Sequence, residues 1–209
     1  MQKTIALHLI GGLSSTSKMP GPSYGLPTEN CITGSKLAQV PGSVCSNCYA
    51  TKGCYRTFAS TVLPAQQRRL ASIADPRWVE AMIVALNKER WFRWFDSGDL
   101  QSVQMLLNIF DVARGTPNCS HWLATRERGF VREALTVSDV PANMCIRVSA
   151  TFPDVPVRDL YLDGVNYANV HKNGPPIGHE CAAPKQHGKC DLCRTCWDKN
   201  VKAVSYKEH

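Results

Sequence analysis

The sequence predicts an α/β fold in which short strands and amphipathic helices alternate through the middle of the chain. Three observations carry this prediction: the alternation itself, polar residues directly after successive strands, and cysteines that gather near the two ends. Strands that alternate with helices form mainly parallel βα units, and the carboxyl edge of such sheets is where ligands bind. A chain of 209 residues is long enough to bury one core without disulfides.

Hydrophobic periodicity places the individual elements. Alternating apolar residues predict a first strand over 3–10, and Asp75 and Pro76 begin a helix that runs to about residue 89. Later strands are predicted over 91–95, 120–124, 143–148 and 165–170, and helices over 99–114 and 130–135. Cys119 and Cys145 lie near strand starts, where we expect them in the core.

Composition narrows the class of protein. The formal net charge is +7, and no apolar run is long enough for a transmembrane helix. The N-terminus makes a poor signal peptide, so we expect a cytoplasmic protein in which clustered cysteines are metal ligands rather than disulfides. Thiolates on metal would offset part of the basic charge, which therefore does not require a nucleic-acid partner but leaves one as an alternative.

The C-terminal cysteines give the stronger metal signal. Their spacing is C-x8-C-x2-C-x2-C, and the four residues are Cys181, Cys190, Cys193 and Cys196. Two-residue gaps let neighbouring thiolates wrap one centre, and four thiolates suit either zinc or a [4Fe–4S] cluster. Three cysteines in series favour the iron–sulfur centre, with zinc as the alternative. His179 is the best replacement ligand if one cysteine is free.

The N-terminal cysteines are more ambiguous. Cys45 and Cys48 could form a thioredoxin-like redox pair, but a Pro-Gly turn rather than a strand precedes them. Together with Cys31 they could instead bind a cluster that leaves one iron open. Cys54 is either a rival third ligand or a buried small residue.

Polar residues follow three successive predicted strands. The three sets are Asp96, Ser97 and Asp99 at the first strand, Thr125, Arg126 and Glu127 at the second, and Arg147, Ser149 and Thr151 at the third. Because parallel strands end at one edge, we expect these residues to line a common ligand site. Capping and loop chemistry is the plainer alternative for each set, above all for Asp99.

Five motifs follow one another along the chain: G-S-V-C-S-N-C-Y-A at 42–50, F-R-W-F-D-S-G-D-L at 92–100, W-L-A-T-R-E at 122–127, I-R-V-S-A at 146–150 and C-D-L-C-R-T-C-W at 190–197. In this order they resemble the radical S-adenosylmethionine (SAM) superfamily, and more closely the small phage-encoded proteins of the gene-product-eighty-eight type. The usual spacing of the superfamily is C-x3-C-x2-C, whereas here the first gap spans thirteen residues. The chain is also short, so the resemblance implies a partial (βα) barrel of about four to six mainly parallel strands with a C-terminal cysteine-rich appendage.

The resemblance also implies roles for particular residues. Cys31, Cys45 and Cys48 would bind a [4Fe–4S] cluster, and the C-terminal cysteines a second centre. The implied cofactor-binding residues are Tyr49, Ser97, Gly98, Asp99, Arg126, Arg147 and Ser149. An external electron donor would reduce the cluster, and SAM would be cleaved to a 5′-deoxyadenosyl radical that acts on an unidentified substrate.

The sequence therefore predicts two regions and leaves several functions open. Residues 1–170 would form the barrel-like domain with its cluster loop at 11–54, and residues 171–209 a metal-binding knuckle. The leading hypothesis is a radical SAM-type enzyme in the cytoplasm of a phage-infected host cell, without a membrane partner. The alternatives are a non-catalytic iron–sulfur electron carrier and a zinc module that contacts nucleic acid.

Overall fold

A seven-stranded parallel sheet forms the centre of the computed structural model, which describes residues 1–158, 160 and 162–208. Its strands are β1 (Ser23–Tyr24), β2 (Trp91–Trp94), β3 (Ser120–Thr125), β4 (Met144–Ser149), β5 (Val165–His171), β6 (His179–Glu180) and β7 (Ala203–Lys207). They lie in the order β1-β2-β3-β4-β5-β7-β6, and every neighbouring pair is parallel. In the described ranges β1 and β6 are the edge strands, so the sheet is open. The predicted α/β class with mainly parallel strands is confirmed, with more strands than expected.

Helices surround this sheet. They are α1 (Lys3–Leu9), α2 (Ile32–Ala38), α3 (Gly53–Thr57), α4 (Ala59–Ser72), α5 (Trp78–Leu86), α6 (Val103–Gly115) and α7 (Arg128–Ala134). Side chains of α1, α5, α6 and α7 pack with one face of the sheet in the main hydrophobic core. The predicted core positions of Cys119 and Cys145 are confirmed, since both are buried.

One predicted element type and one predicted helix start were wrong. The segment predicted as a first strand is helix α1, where Ala6 and the C-cap residue Ile10 are buried one turn apart while Ile5 is exposed. Packing against α5 decides its conformation over the short apolar alternation. Helix α6 begins at Val103 rather than Asp99, because the Ser102 hydroxyl caps it by accepting the Met105 N–H at 3.1 Å.

We call the opposite face of the sheet the inner face. It is covered by the connection between β6 and β7, which contains Cys196 and Trp197 and is called the C-terminal segment below. Arg93, Trp122 and Val204 point to this side, and Trp197 packs on Trp122 with ring centroids 5.2 Å apart. The indole N–H of Trp197 donates to the Phe92 carbonyl at 2.8 Å. The predicted division at residue 170 stays a prediction, but β5 crosses that point and β7 extends the same sheet.

None of the helices in the described ranges has the length and apolar character needed to cross a membrane.

Candidate metal centres at the edge and inner face of the sheet

Three N-terminal cysteines come together beyond the carboxyl edge of the sheet. Cys31 precedes α2, and Cys45 and Cys48 belong to a short 3-10 turn and its end. A Cβ atom built on Gly34 would lie 3.5 Å from the Cys31 Sγ and 3.7 Å from the Cys45 Sγ. Cys54 is exposed on α3. The geometry therefore favours Cys31 over Cys54 as the partner of Cys45 and Cys48.

The surroundings of these thiols favour their protonated form. Burial, together with the charges of Asp99 and the two neighbouring cysteines, raises the pKa of Cys31 to about 12, and Arg126 opposes this shift. Burial also raises the pKa of Cys45, again opposed by Arg126. Three thiolates here would need added positive charge, which a metal centre supplies.

The Ser97–Gly98 motif holds the beginning of the cysteine loop. The Ser97 hydroxyl donates to the Leu26 carbonyl at 2.9 Å and accepts from the Gln66 amide at 2.7 Å, while the Leu26 N–H donates to the Ser97 carbonyl. Gly98 has φ +71°, and its Cα faces Leu26. The contacts of Ser97 and Gly98 are therefore with other residues of the protein, and they hold the chain in place a few residues before Cys31.

Gly98→Ala is expected to destabilise the fold by about 2–4 kcal/mol, from left-handed strain and overpacking together. The added Cβ would lie 2.6 Å from the Leu26 Cβ and 2.7 Å from its carbonyl oxygen. Gly129→Ala in α7 is the control, because nothing lies within 4 Å of its added Cβ. Urea denaturation of both variants measures the difference, and equal midpoints would contradict this role for Gly98.

Two buried carboxylates lie at the end of β3: Asp99 joins it to the loop after β2, and Glu127 joins it to the cysteine loop. Asp99 accepts hydrogen bonds from the Thr125 hydroxyl at 2.5 Å and from the Arg126 N–H at 2.9 Å. Glu127 accepts from the N–H and the hydroxyl of Thr33, both at 2.8 Å, just after Cys31. Burial raises the pKa of Asp99 to about 6, although its hydrogen bonds oppose this shift. Asp99 therefore orients the strand end and Glu127 fixes α2.

The loop that contains Cys45 and Cys48 is hydrogen-bonded to the end of β2. Tyr49 follows Cys48 directly, and its hydroxyl donates to the Asp96 carbonyl at 2.6 Å. Tyr55 donates to the same carbonyl and to the Asp96 carboxylate, each at 2.9 Å. The Val44 N–H donates to the Thr151 carbonyl beyond β4. Strand ends thus position all three N-terminal cysteines.

Gly34→Ala is expected to disturb the N-terminal cysteines, because its Cβ would lie 3.5 Å from the Cys31 sulfur and 3.7 Å from the Cys45 sulfur. If these thiols hold iron, the variant should lose most of it. The fold should survive, since alanine favours a helix by about 1 kcal/mol, although the Cβ would meet the Cys31 Cβ at 2.9 Å. Iron and sulfide analysis with circular dichroism tests this. Gly129→Ala, again the control, should keep its iron; full iron in Gly34→Ala would refute the placement.

All four C-terminal cysteines line one small cavity on the inner face, together with His179 and Trp197. Its volume is about 20 Å³, which is space for roughly one water molecule. The Tyr206 hydroxyl lies 3.1 Å from the Cys196 Sγ. Burial raises the pKa of Cys196 to about 12, and nearby Arg147 and Arg93 lower it. The donor set fits a tetrathiolate centre, and the sequence-predicted ligands of this site are together.

Arg147 lies away from the edge site and beneath the C-terminal segment. It is fully buried, and each of its five N–H groups donates to a backbone carbonyl. The acceptors, at 2.8–3.3 Å, are the carbonyls of Tyr167, Thr195, Cys196, Asp198 and Val201. No donor of Arg147 remains for a cofactor, so its position supports a structural role.

The other predicted edge residues differ in what they offer a ligand. Arg126 lies close enough to Cys31 and Cys45 to lower the pKa of both, and its buried Nε has no hydrogen-bond partner among the described residues. Ser149 is the last residue of β4 and is half-buried. Across the described part of the chain, no group of three or more Cys, His, Asp or Glu side chains is arranged to hold a metal ion as it stands.

Sequence reasoning missed two of the residues that support the edge site. Thr33 and Gly34 belong to no motif, and the Thr33–Glu127 contact joins positions 94 residues apart. Glu127 was expected at the end of its strand, as the last residue of W-L-A-T-R-E, but its hydrogen bonds to Thr33 were not.

Comparisons with known proteins identify the chain by family alone. No curated protein matches the chain, and no solved structure matches it. A family model described as Gene product 88 matches residues 13–199, which is most of the chain, and the protein therefore belongs to the gene product 88 family.

Proposed function

We propose that this protein is an iron–sulfur enzyme of the radical SAM type. Cys31, Cys45 and Cys48 would hold a [4Fe–4S] cluster and leave its fourth iron open to SAM. One observation supports this most: the Cys31 and Cys45 sulfurs both lie within 4 Å of the Cβ position at Gly34, and Cys48 is close enough to raise the pKa of both thiols. When bound and reduced by an external donor, the cluster supplies the electron for reductive cleavage of SAM.

The residues of the chain contribute binding, orientation and charge. Strand-end contacts through Ser97, Tyr49 and Glu127 hold the cysteine loops in place. Arg126 adds positive charge beside the thiols, and its unpartnered Nε–H is suited to the SAM carboxylate. The gene product 88 family points to a phage-infected host cell as the setting for this reaction.

Arg126→Gln tests the proposed SAM contact. Calorimetric titration of the iron-loaded chain with SAM should give a dissociation constant at least about tenfold higher for this variant than for wild type. Arg132→Gln, on the exposed side of α7, makes the same change in net charge and should bind SAM normally. Equal weakening in both variants, or no SAM binding by the wild type, would reject the proposal.

A second candidate function is non-catalytic electron transfer. A chain of contacts favours it: the Arg93 guanidinium donates to the Tyr49 hydroxyl at 2.9 Å and stacks 4.5 Å above Trp122, which packs on Trp197 beside Cys196. Both cysteine sites would then carry clusters. Two redox-active clusters without SAM binding would favour this alternative.

A further inference from the structure

Three polar side chains stand side by side on the inner face of the sheet. The strand register pairs Ser23 of β1 with Arg93 of β2, and Arg93 with Trp122 of β3. Their neighbours Tyr24, Phe92 and Leu123 belong to the core on the helix side, so alternation directs this row to the inner face. The row contacts the neighbours of both cysteine sites, since Arg93 donates to Tyr49 beside Cys48 and Trp122 packs on Trp197 beside Cys196.

Each of the three side chains has a buried polar atom without a hydrogen-bond partner in the described part of the chain. These atoms are the Ser23 Oγ, the Arg93 Nε and the Trp122 Nε1. Ser23 is fully buried and Trp122 is 5% exposed. A buried donor left unpaired costs about 1–3 kcal/mol, so three at adjacent positions call for a shared acceptor.

Arg147 on the same face provides the contrast. All five N–H groups of its guanidinium donate to backbone carbonyls. In Arg93, one Nη donates to the Tyr49 hydroxyl and the Phe95 carbonyl. Among the described residues, the other Nη of Arg93 has the Met19 sulfur at 3.8 Å as its single acceptor. Every N–H group of the structural Arg147 therefore has a carbonyl partner, whereas the Nε–H of Arg93 has none among the described residues.

The charge of Arg93 is also uncompensated at short range. None of the ion pairs among the described residues includes Arg93. The nearest acid in sequence, Asp96, receives the Tyr55 hydroxyl and influences Arg93 only through space. Unpaired positive charge combined with N–H and O–H donors selects an anionic oxygen group.

We propose that Ser23, Arg93 and Trp122 form a binding site for the carboxylate or phosphate of a small-molecule ligand other than SAM. The anion accepts from the Arg93 Nε–H, the Trp122 indole N–H and the Ser23 hydroxyl. Arg93 also contacts Tyr49, the residue after Cys48, so the bound ligand lies under the N-terminal cysteine loop. That the bound anion is part of the enzyme's substrate rests on the proposed function. That the site binds an anion does not depend on it.

Calorimetric titration of the full-length chain with inorganic phosphate, and separately with succinate, tests the site and distinguishes the two anions. One of them should bind saturably. Arg93→Gln should weaken that binding at least about tenfold, and Trp122→Phe, which removes the N–H but keeps a stacking ring, should weaken it severalfold. Arg56→Gln, an exposed change of equal charge on α3, should leave binding unchanged.

Three results would overturn the proposal. Neither anion binds; Arg56→Gln weakens binding as much as Arg93→Gln, which indicates general charge attraction; or SAM displaces the anion one for one, which assigns the donors to SAM. Anion binding that persists in a chain unable to bind SAM would reject the proposed enzyme function and keep this site.

Discussion

Cys31→Ser is expected to lose about four irons per chain, the content of one [4Fe–4S] cluster, while Cys54→Ser keeps them. The reason is position: the Cys31 and Cys45 sulfurs both lie within 4 Å of the Cβ position at Gly34, whereas Cys54 is exposed on α3. Iron and acid-labile sulfide, measured after purification without oxygen, give the answer directly.

The two cysteine variants control for each other, because each replaces one sulfur by oxygen in the same chain. Cys31 also precedes α2, so circular dichroism should show that the variant is folded. Iron lost from Cys54→Ser and retained in Cys31→Ser would reverse the ligand assignment.

Arg147→Met is expected to cost at least about 3 kcal/mol of unfolding free energy. Methionine fills similar space but donates nothing, and five carbonyls around the C-terminal segment lose a charged partner. The variant should also lose the metal at the C-terminal cysteines, since three of the freed carbonyls belong to residues 195–198. Urea denaturation and metal analysis measure both effects.

Arg114→Met is the matched control for this prediction. Arg114 is about half exposed and pairs with Asp111 at 3.2 Å, so its replacement should cost less than about 1 kcal/mol. If Arg147→Met costs no more than Arg114→Met, the carbonyl contacts of Arg147 do not stabilise the C-terminal segment.

The central strands were predictable because their sequence pattern agrees with their environment. Strand β2 was expected over 91–95 and spans Trp91–Trp94, and β4 was expected over 143–148 and spans Met144–Ser149. Helix α1 was not predictable, since Ile5, Leu7 and Leu9 alternate as in a strand and only packing against α5 separates the two conformations. The two-residue strands β1 and β6 are too short to leave a pattern.

The candidate sites divide in a similar way. Spacing grouped the four C-terminal cysteines with one another, whereas Cys31 was grouped with Cys45 and Cys48 through the resemblance, with Cys54 as a rival. The direction of a side chain depends on contacts distant in sequence, which no local pattern encodes. Arg147 was expected at a ligand site from its place near a strand end, but four of its five donors bond to the C-terminal segment on the inner face and the fifth bonds to Tyr167 of β5.

Electron paramagnetic resonance of the reduced, anaerobically purified protein, recorded with iron, sulfide and zinc content before and after addition of SAM, tests the central claim most directly. We expect about four irons at the N-terminal site. The cluster signal should change on addition of SAM in the wild type and should be absent from Cys31→Ser. Zinc without iron, in protein expressed with ample iron, would contradict it and favour the zinc module that contacts nucleic acid.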